Sequence, residues 1–144
     1  MSTPTSNLAI ALFSEIITVD QLVRDRVGKA LPKGMELSHF SVLNQLAHTQ
    51  ERSPAQLAKS FHVTRGAMTN TLNRLETAGY IHVRPDWDDA RSKRVSISPA
   101  GRLARDEALR AIEPLLTSVV EAMGESKARA ALPTLRELRR TLEN

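Results

Sequence analysis

The stretch whose reading decides the fold is SPAQLAKSFHVTRGAMTNTLNRLETAGYI, residues 53–81. Ser53-Pro54-Ala55-Gln56 supplies an N-cap hydroxyl, a proline at the first helical position and a glutamine at the capping-box position. The helix it opens, roughly 54–60, is apolar through Ala55, Leu57 and Ala58. Phe61-His62-Val63 reads as a tight connection. Thr64 then caps a second helix running to about Ala78, and Gly79 offers the left-handed residue that ends it. Helical periodicity puts Ala67, Met68, Leu72 and Leu75 inward, and Arg65, Gly66, Thr69, Asn70, Asn73 and Arg74 outward. A solvent face ordinarily carries Glu and Lys paired four residues apart. This one carries Thr, Asn and Arg, with Glu76 as its one acid. Thr and Asn are mediocre helix formers, so their concentration there asks for another reason.

Downstream, Ile81-His82-Val83-Arg84 and Arg94-Val95-Ser96-Ile97 alternate in the manner of strands. The polar segment from Pro85 to Lys93 joins them as a hairpin with a charged tip. Ser98-Pro99 repeats the cap-plus-proline start and opens a long helix to about Met123, which Gly124 ends. A last helix covers roughly 126–142, with Leu132, Leu135, Leu138 and Leu142 as its stripe. Pro133 inside it is expected to kink or split it. Upstream, residues 5–27 read as a helix whose apolar stripe is wider than one face, through Leu8, Leu12, Phe13, Ile16, Ile17 and Val23. Such a helix wants partners on more than one side. Residues 38–49 form a second helix, with Phe40, Leu43 and Leu46 on one face.

Two short helices joined by a tight turn and followed by a hairpin form a winged helix-turn-helix. The expected class is mainly α with a small β-hairpin wing (α+β), carried by N- and C-terminal dimerisation helices. Residues 1–144 are read as one domain. Within it, 36–98 form a DNA-binding lobe, and 5–28 with 99–143 form a helical dimerisation region. An α-helix fits the major groove, where base edges present distinguishable donors and acceptors. Thr69, Asn70 and Asn73 suit base edges, Arg65 suits guanine or a phosphate, and Arg74 suits a phosphate. Gly66 and Ala67 lack bulk and let the helix start approach the backbone. Ser53 and Thr64 offer hydroxyls and free N–H groups to phosphates.

Charge agrees with this placement. The 144-residue chain carries a net charge of +4. Residues 52–105 hold ten Lys/Arg against four Asp/Glu, so the whole positive excess lies there. A local basic segment in a near-neutral chain is the footprint of a polyanion binder. On charge alone, an ordinary solvated face explains it equally well.

The run from Leu57 through Ile81, with Asp89-Ala90-Arg91 and Ile97-Ser98-Pro99-Ala100-Gly101, resembles the MarR family of bacterial regulators. The similarity extends over the whole chain and is strongest over 53–101. The resemblance implies a homodimer whose first and last two helices interlock. It implies recognition helices in successive major grooves of a pseudo-palindrome, with wings in the flanking minor grooves. By position, Thr64, Arg65, Thr69, Asn70 and Arg74 would face DNA. Arg91 would be the wing arginine, held by or alternating with Asp89, with Lys93 beside it and Arg84 supporting the wing. It further implies a small phenolic or aromatic acid as effector, bound between the dimer part and the DNA-binding lobe. Phe13, Ile17, His39 and Leu43 are the residues placed there. Gly66 stands where a proline is commoner and Asn70 where a basic residue is commoner, so the half-site can differ from the family's usual one.

The function expected is therefore a ligand-responsive repressor that reads double-stranded operator DNA in the cytoplasm. A winged-helix protein-interaction module without DNA is the alternative, since fold does not fix function. An enzyme is not expected, because no triad, dyad or metal cluster assembles from the sequence. No cofactor is expected either. His39, His48, His62 and His82 lack the spacing of a helix-borne metal site, and the chain has no Cys. Asp86, Asp88 and Asp89 read as turn residues that orient Arg84, Arg91, Lys93 and Arg94. Trp87 is expected to pack the wing base rather than rest on DNA. The opening MSTPTSN lacks the basic start and apolar stretch of a leader. No unbroken apolar run of about 18 residues is present, so no membrane-spanning helix is expected.

Overall fold

The computed structural model describes residues 3–144. Met1 and Ser2, the first two residues read for a leader, lie outside them. Six helices and one hairpin follow in the order α1 (Pro4–Ala30), α2 (Leu37–His48), α3 (Pro54–Ser60), α4 (Arg65–Thr77), β1 (Ile81–Pro85), β2 (Lys93–Ile97), α5 (Pro99–Met123) and α6 (Glu125–Glu143). The caps sit where the sequence puts them. Thr64 Oγ1 accepts from the Ala67 N–H at 3.1 Å, and Ser98 Oγ accepts from Gly101 at 3.0 Å. Ser53 and Gln56 form a reciprocal box, with bonds of 3.1 and 2.9 Å. The turn between α3 and α4 is made by His62 at φ 54, a left-handed position that histidine tolerates better than most.

The two strands pair antiparallel, with Ile81 opposite Ile97 and Val83 opposite Val95. Arg52 adds one more rung. Its N–H donates to the Val95 carbonyl at 3.0 Å, and its carbonyl accepts from the Val95 N–H at 2.7 Å. The hairpin is thereby fastened to the segment between α2 and α3. The main core joins Val42, Leu43 and Leu46 of α2 to Leu57 and Ala58 of α3. Met68, Leu72 and Leu75 of α4 and Ile81 and Val95 of the hairpin complete it. Each such aliphatic side chain contributes about 1.5–3 kcal/mol on burial. A second cluster of Val27, Leu31, Phe40, Ala108 and Ile112 joins the end of α1 to α2 and α5.

Three expectations are corrected. Ala67 is exposed, and so is Ala55, because α4 and α3 bury narrower faces than the sequence pattern assigned. Helix α6 runs unbroken through Pro133, as α5 does through Pro114. Each proline removes one N–H from the helical ladder without ending it. Trp87 does not pack the wing base: its side chain is 83% exposed, with only the Arg84 guanidinium 5.9 Å from the ring centre. Separately, α1 is long and apolar enough by length and composition alone to cross a membrane, a property that apolar helices of other proteins share. The sequence expectation looked for an unbroken run, which Ser14 and Glu15 interrupt, whereas the helix as a whole is apolar.

The unsatisfied apolar surface is concentrated. Among the described residues, eighteen large hydrophobic side chains are left exposed, and eight of them lie on α1, four on the last turns of α5 and three on α6. They include Leu8, Leu12 and Ile17 on one helix and Leu132, Leu135 and Leu142 on another.

Candidate nucleic-acid interface

Helix α4 anchors itself through Met68, Leu72 and Leu75, which are at most 5% exposed. Its opposite side is free: Arg65, Gly66, Thr69, Asn70, Asn73 and Arg74 are all exposed. One flank of that side faces the wing across a groove of 430 Å³. Arg65, Thr69, Asn73 and Glu76 form the helical wall. Asp89, Arg91, Ser92 and Lys93 form the wing wall, and Ser53, Pro54 and Ala55 close one end. Leu72, Val83 and Val95 make the floor. Six residues read from the sequence as DNA contacts, and Asp89 of the wing support, thus meet in one place, although they come from three separate segments.

The remaining candidates are distributed differently. Gly66, Ala67 and Asn70 lie on the exposed side of α4 beyond the groove wall, and Thr64 sits at its N-terminus. Ser53 and Thr64 oxygens already accept helix-capping bonds, which leaves each hydroxyl hydrogen free to donate outward. Arg74 turns the other way. It lies 3.8 Å from Glu36 and lines a separate 330 Å³ cavity with Lys33, His39, Tyr80 and Glu107.

Acids hold the wing in shape. Asp86 accepts from the Asp88 N–H at 2.9 Å and from Arg94 at 3.2 Å. Those contacts, the backbone bond first, hold its carboxyl below the ordinary carboxylate range. Asp89 accepts from the Arg91 N–H at 3.0 Å and stands 3.5 Å from the Arg91 guanidinium. The Arg91 side chain is still 94% exposed, so it is aimed without being sequestered. Arg84 does not pair with the wing acids, as the sequence suggested. It binds Glu51 in a fork of 2.5 and 3.3 Å and donates to the Pro85 carbonyl. Sequence reasoning missed Glu51 and Arg52, which stand between two helices where no periodicity marks them. Glu76, Ser92, Pro54 and Ala55 were also not assigned to the groove.

The expected effector lining is not one cavity within the protomer. Leu43 is fully buried in the main core, and His39 lines the cavity beside Arg74. Phe13 and Ile17 are exposed on α1, at 37% and 58%. The periodicity of α1 turns them toward the face left bare. His39 has its own structural task. The Glu36 N–H donates to its Nδ1 at 3.1 Å, which fixes a neutral ring with the proton on Nε2. Burial lowers the His39 pKa from 6.5, Glu36 opposes the shift, and Arg74 adds to it. The folded chain therefore takes up this proton less readily than the unfolded one. Stability is full above the ordinary value and declines as pH falls below it. Melting temperature is expected to drop on acidification from about pH 7.5 to 5.5, across the usual histidine range. His39→Gln keeps the capping acceptor without titrating and should lose part of that drop. An identical drop in the variant would acquit His39.

Comparison with known proteins places the chain. Residues 33–92 match the model of the MarR family. An HTH-type transcriptional repressor of Mycobacterium tuberculosis is 30% identical over 126 residues, covering 87% of this chain and 86% of the relative. Uncharacterized HTH-type regulators of Bacillus cereus are 35% identical over 72 residues, and there the chain spans about half of the relative's length, 47%. Among solved structures, the regulator BldR of Sulfolobus solfataricus superposes with a TM-score of 0.81 at 24% identity, over 99% of both chains. A MarR variant from E. coli in complex with operator DNA superposes at 0.82 with 22% identity, over 95% of this chain and 99% of that one. BpsR of Bordetella bronchiseptica, whose DNA binding is regulated by 6-hydroxynicotinic acid, superposes at 0.81 with 18% identity, over 90% and 98%. The fold is that of these winged-helix proteins.

Proposed function

This chain belongs to the MarR family, and on that premise we propose that it regulates transcription by binding double-stranded DNA as a homodimer. One observation carries the reading: Arg65, Thr69 and Asn73 of α4 converge with Arg91 and Lys93 of the wing on a single groove. Helix α4 enters the major groove. Asn70, Asn73 and Thr69 read base edges, and Arg65 takes guanine or a phosphate. Ser53, Thr64 and Lys93 take phosphates. Arg91 reaches the neighbouring minor groove, steadied by Asp89. Arg74, held toward Glu36, contributes less than the sequence suggested. A module that only docks proteins has no use for an amide- and hydroxyl-bearing helix facing a cationic finger. Catalysis has no part in this reading, and the place of action is the cytoplasm, with the DNA.

The bare apolar faces of α1, α5 and α6 are the dimer surface. A second copy covers them and sets two α4 helices about one duplex turn apart, roughly 10 base pairs. The repressor reading rests on the mycobacterial relative. For an effector, the 330 Å³ cavity lined by Lys33, His39 and Arg74 borders α4 at Arg74 and Leu75 and its cap residue Ala78, and its cations suit a small aromatic acid. A panel of such acids should include one that raises the melting temperature of the wild type and not of Arg74→Ala. If none does, this cavity is not the effector site.

The DNA reading is tested by recovering duplexes from a random-sequence pool and measuring their affinity against salt. Arg65, Arg91 and Lys93 of two protomers neutralise roughly six phosphates, so log affinity should fall with log salt at a slope of about −5. A flat response with no recovered consensus would sink the reading. Gly66 refines the test. A Cβ there meets nothing within 4 Å of the protein. Gly66→Ala should leave the fold as stable or gain about 0.5–1 kcal/mol. It should nonetheless weaken duplex binding, because the added methyl meets the DNA backbone. Unchanged affinity would show that the helix start does not approach DNA closely.

A further inference from the structure

On the side of α3 away from the DNA groove lies a cleft of 540 Å³ between α2, α3 and the end of α6. Gln45, Arg52, Gln56, Lys59, Ser60, His62, Arg139 and Glu143 line it, and it shares no residue with the groove. Arg52 is the anomaly. It is partly buried, its Nε is wholly buried, and no acceptor meets that atom. Among the described residues no carboxylate pairs with it. Its backbone is committed to Val95, so the residue cannot swing its whole frame toward solvent. A partly desolvated guanidinium without a carboxylate partner costs free energy that an anion seated beside it in the cleft would offset.

The surrounding groups are also donors. Gln56 Oε1 accepts from the Ser53 N–H, and Gln45 Oε1 accepts from the Ser60 hydroxyl at 3.0 Å. Both amide oxygens are thereby used within the protein, and both NH₂ groups are left to donate. Lys59 is exposed and without an acidic partner among the described residues. The one acid of the lining, Glu143, is held by Arg139 at 2.8 Å. The cleft therefore presents two cations without acidic partners among the described residues and two amide donors, and its one acid is already paired.

We propose that this cleft is a second ligand site, for a small polar anion bearing a phosphate or carboxylate that sits on Arg52 and Lys59. Gln45 and Gln56 donate to its remaining oxygens. Because α6 forms one wall and α3 the other, the anion would brace the dimerisation arm against the helix-turn-helix. Among the described residues, Arg52 Nε is the one buried side-chain donor left without a partner, which sets this cleft apart from the cavity beside Arg74.

The test is the melting temperature of the full chain titrated with inorganic phosphate, and separately with succinate, at an ionic strength held constant with sodium chloride. One of the two is expected to raise it saturably. Arg52→Gln should abolish the rise, Lys59→Gln should weaken the apparent affinity several-fold, and Lys93→Gln in the DNA groove should leave it unchanged. Which anion acts tells phosphate from carboxylate. Lys59 is exposed, so its variant keeps the test decisive if Arg52→Gln fails to fold. No rise beyond that with chloride, full retention in Lys59→Gln, or loss in Lys93→Gln would each overturn the proposal. So would a loss of duplex affinity in Arg52→Gln without any anion effect, since the cleft would then belong to the DNA face.

Discussion

Gly101→Ala is expected to lower the melting temperature by roughly 6–12 °C, the largest loss of stability from a single added methyl in this chain. A Cβ at position 101 would stand 2.1 Å from the Tyr80 carbonyl oxygen and 2.9 Å from Ile97 Cγ1. The first neighbour is backbone and has no rotamer to escape into. The site is also the joint between the α4–β1 connection and the start of α5. Ser98, 3% exposed, donates its hydroxyl to the Gly79 carbonyl at 2.6 Å and accepts from the Gly101 N–H. The Ser98 N–H donates to Tyr80, the same carbonyl that the methyl would strike. Relief of the clash therefore strains the two bonds that tie the start of α5 to Gly79 and Tyr80, and the capping bond beside them. Overpacking costs about 1–3 kcal/mol where neighbours can yield, and here they cannot, so about 3 kcal/mol is expected. For a chain of this size each kcal/mol moves the melting temperature by about 2–4 °C. Gly28→Ala is the control: nothing lies within 4 Å of its Cβ, and it should be neutral or slightly stabilising. Equal melting of the two variants would refute the account of the joint.

Leu135→Glu is expected to convert the protein to a monomer and to cut duplex affinity by about a hundred-fold or more, the avidity that two linked half-sites supply. Leu135 is 52% exposed on α6 and lines a 570 Å³ apolar groove with Ile16, Leu138 and Leu142. It belongs to no core cluster of the protomer, so the fold should survive the change. In the dimer the carboxylate would be buried without a partner, which is strongly unfavourable. Light scattering and anisotropy on the same sample separate assembly from binding. A variant that remains dimeric would place the interface elsewhere. A monomer that binds at wild-type affinity would remove the two-fold from the mechanism.

The two predictions draw on different kinds of legibility. Helix α4 was visible because Met68, Leu72 and Leu75 recur at helical spacing behind Thr, Asn and Arg, between a capping threonine and Gly79. Its groove was half visible. Arg65, Thr69 and Asn73 were named from residue type, and Arg91 with Lys93 beside it from the family resemblance, but only three-dimensional packing brings Ser53 to their end and Glu76 onto the same wall. Local pattern carries no information on pairs distant in sequence. Arg84 was assigned to nearby acids and found Glu51, thirty-three residues away. Arg74 was assigned to DNA by periodicity and found Glu36, a partner from α2. The apolar width of α1 was read correctly as a sign of unmet contacts. Phe13 and Ile17 were then misplaced with Leu43, because a stripe says that a face is covered without saying by what. Gly101 was noticed only as part of a motif. That its missing side chain makes room for the Tyr80 carbonyl is a fact of tertiary packing.

The claim on which the rest depends is that duplex DNA occupies the groove between α4 and the wing. The chain has no cysteine, so a single thiol reports its own surroundings. Thr69→Cys places one in the groove wall, and Ser126→Cys places one on an exposed position at the start of α6. The rate of thiol alkylation is measured for each with and without a recovered duplex. The account predicts that duplex slows alkylation at position 69 to a small fraction of its free rate and leaves position 126 unchanged. Unaltered alkylation at position 69 while the duplex is bound would contradict it.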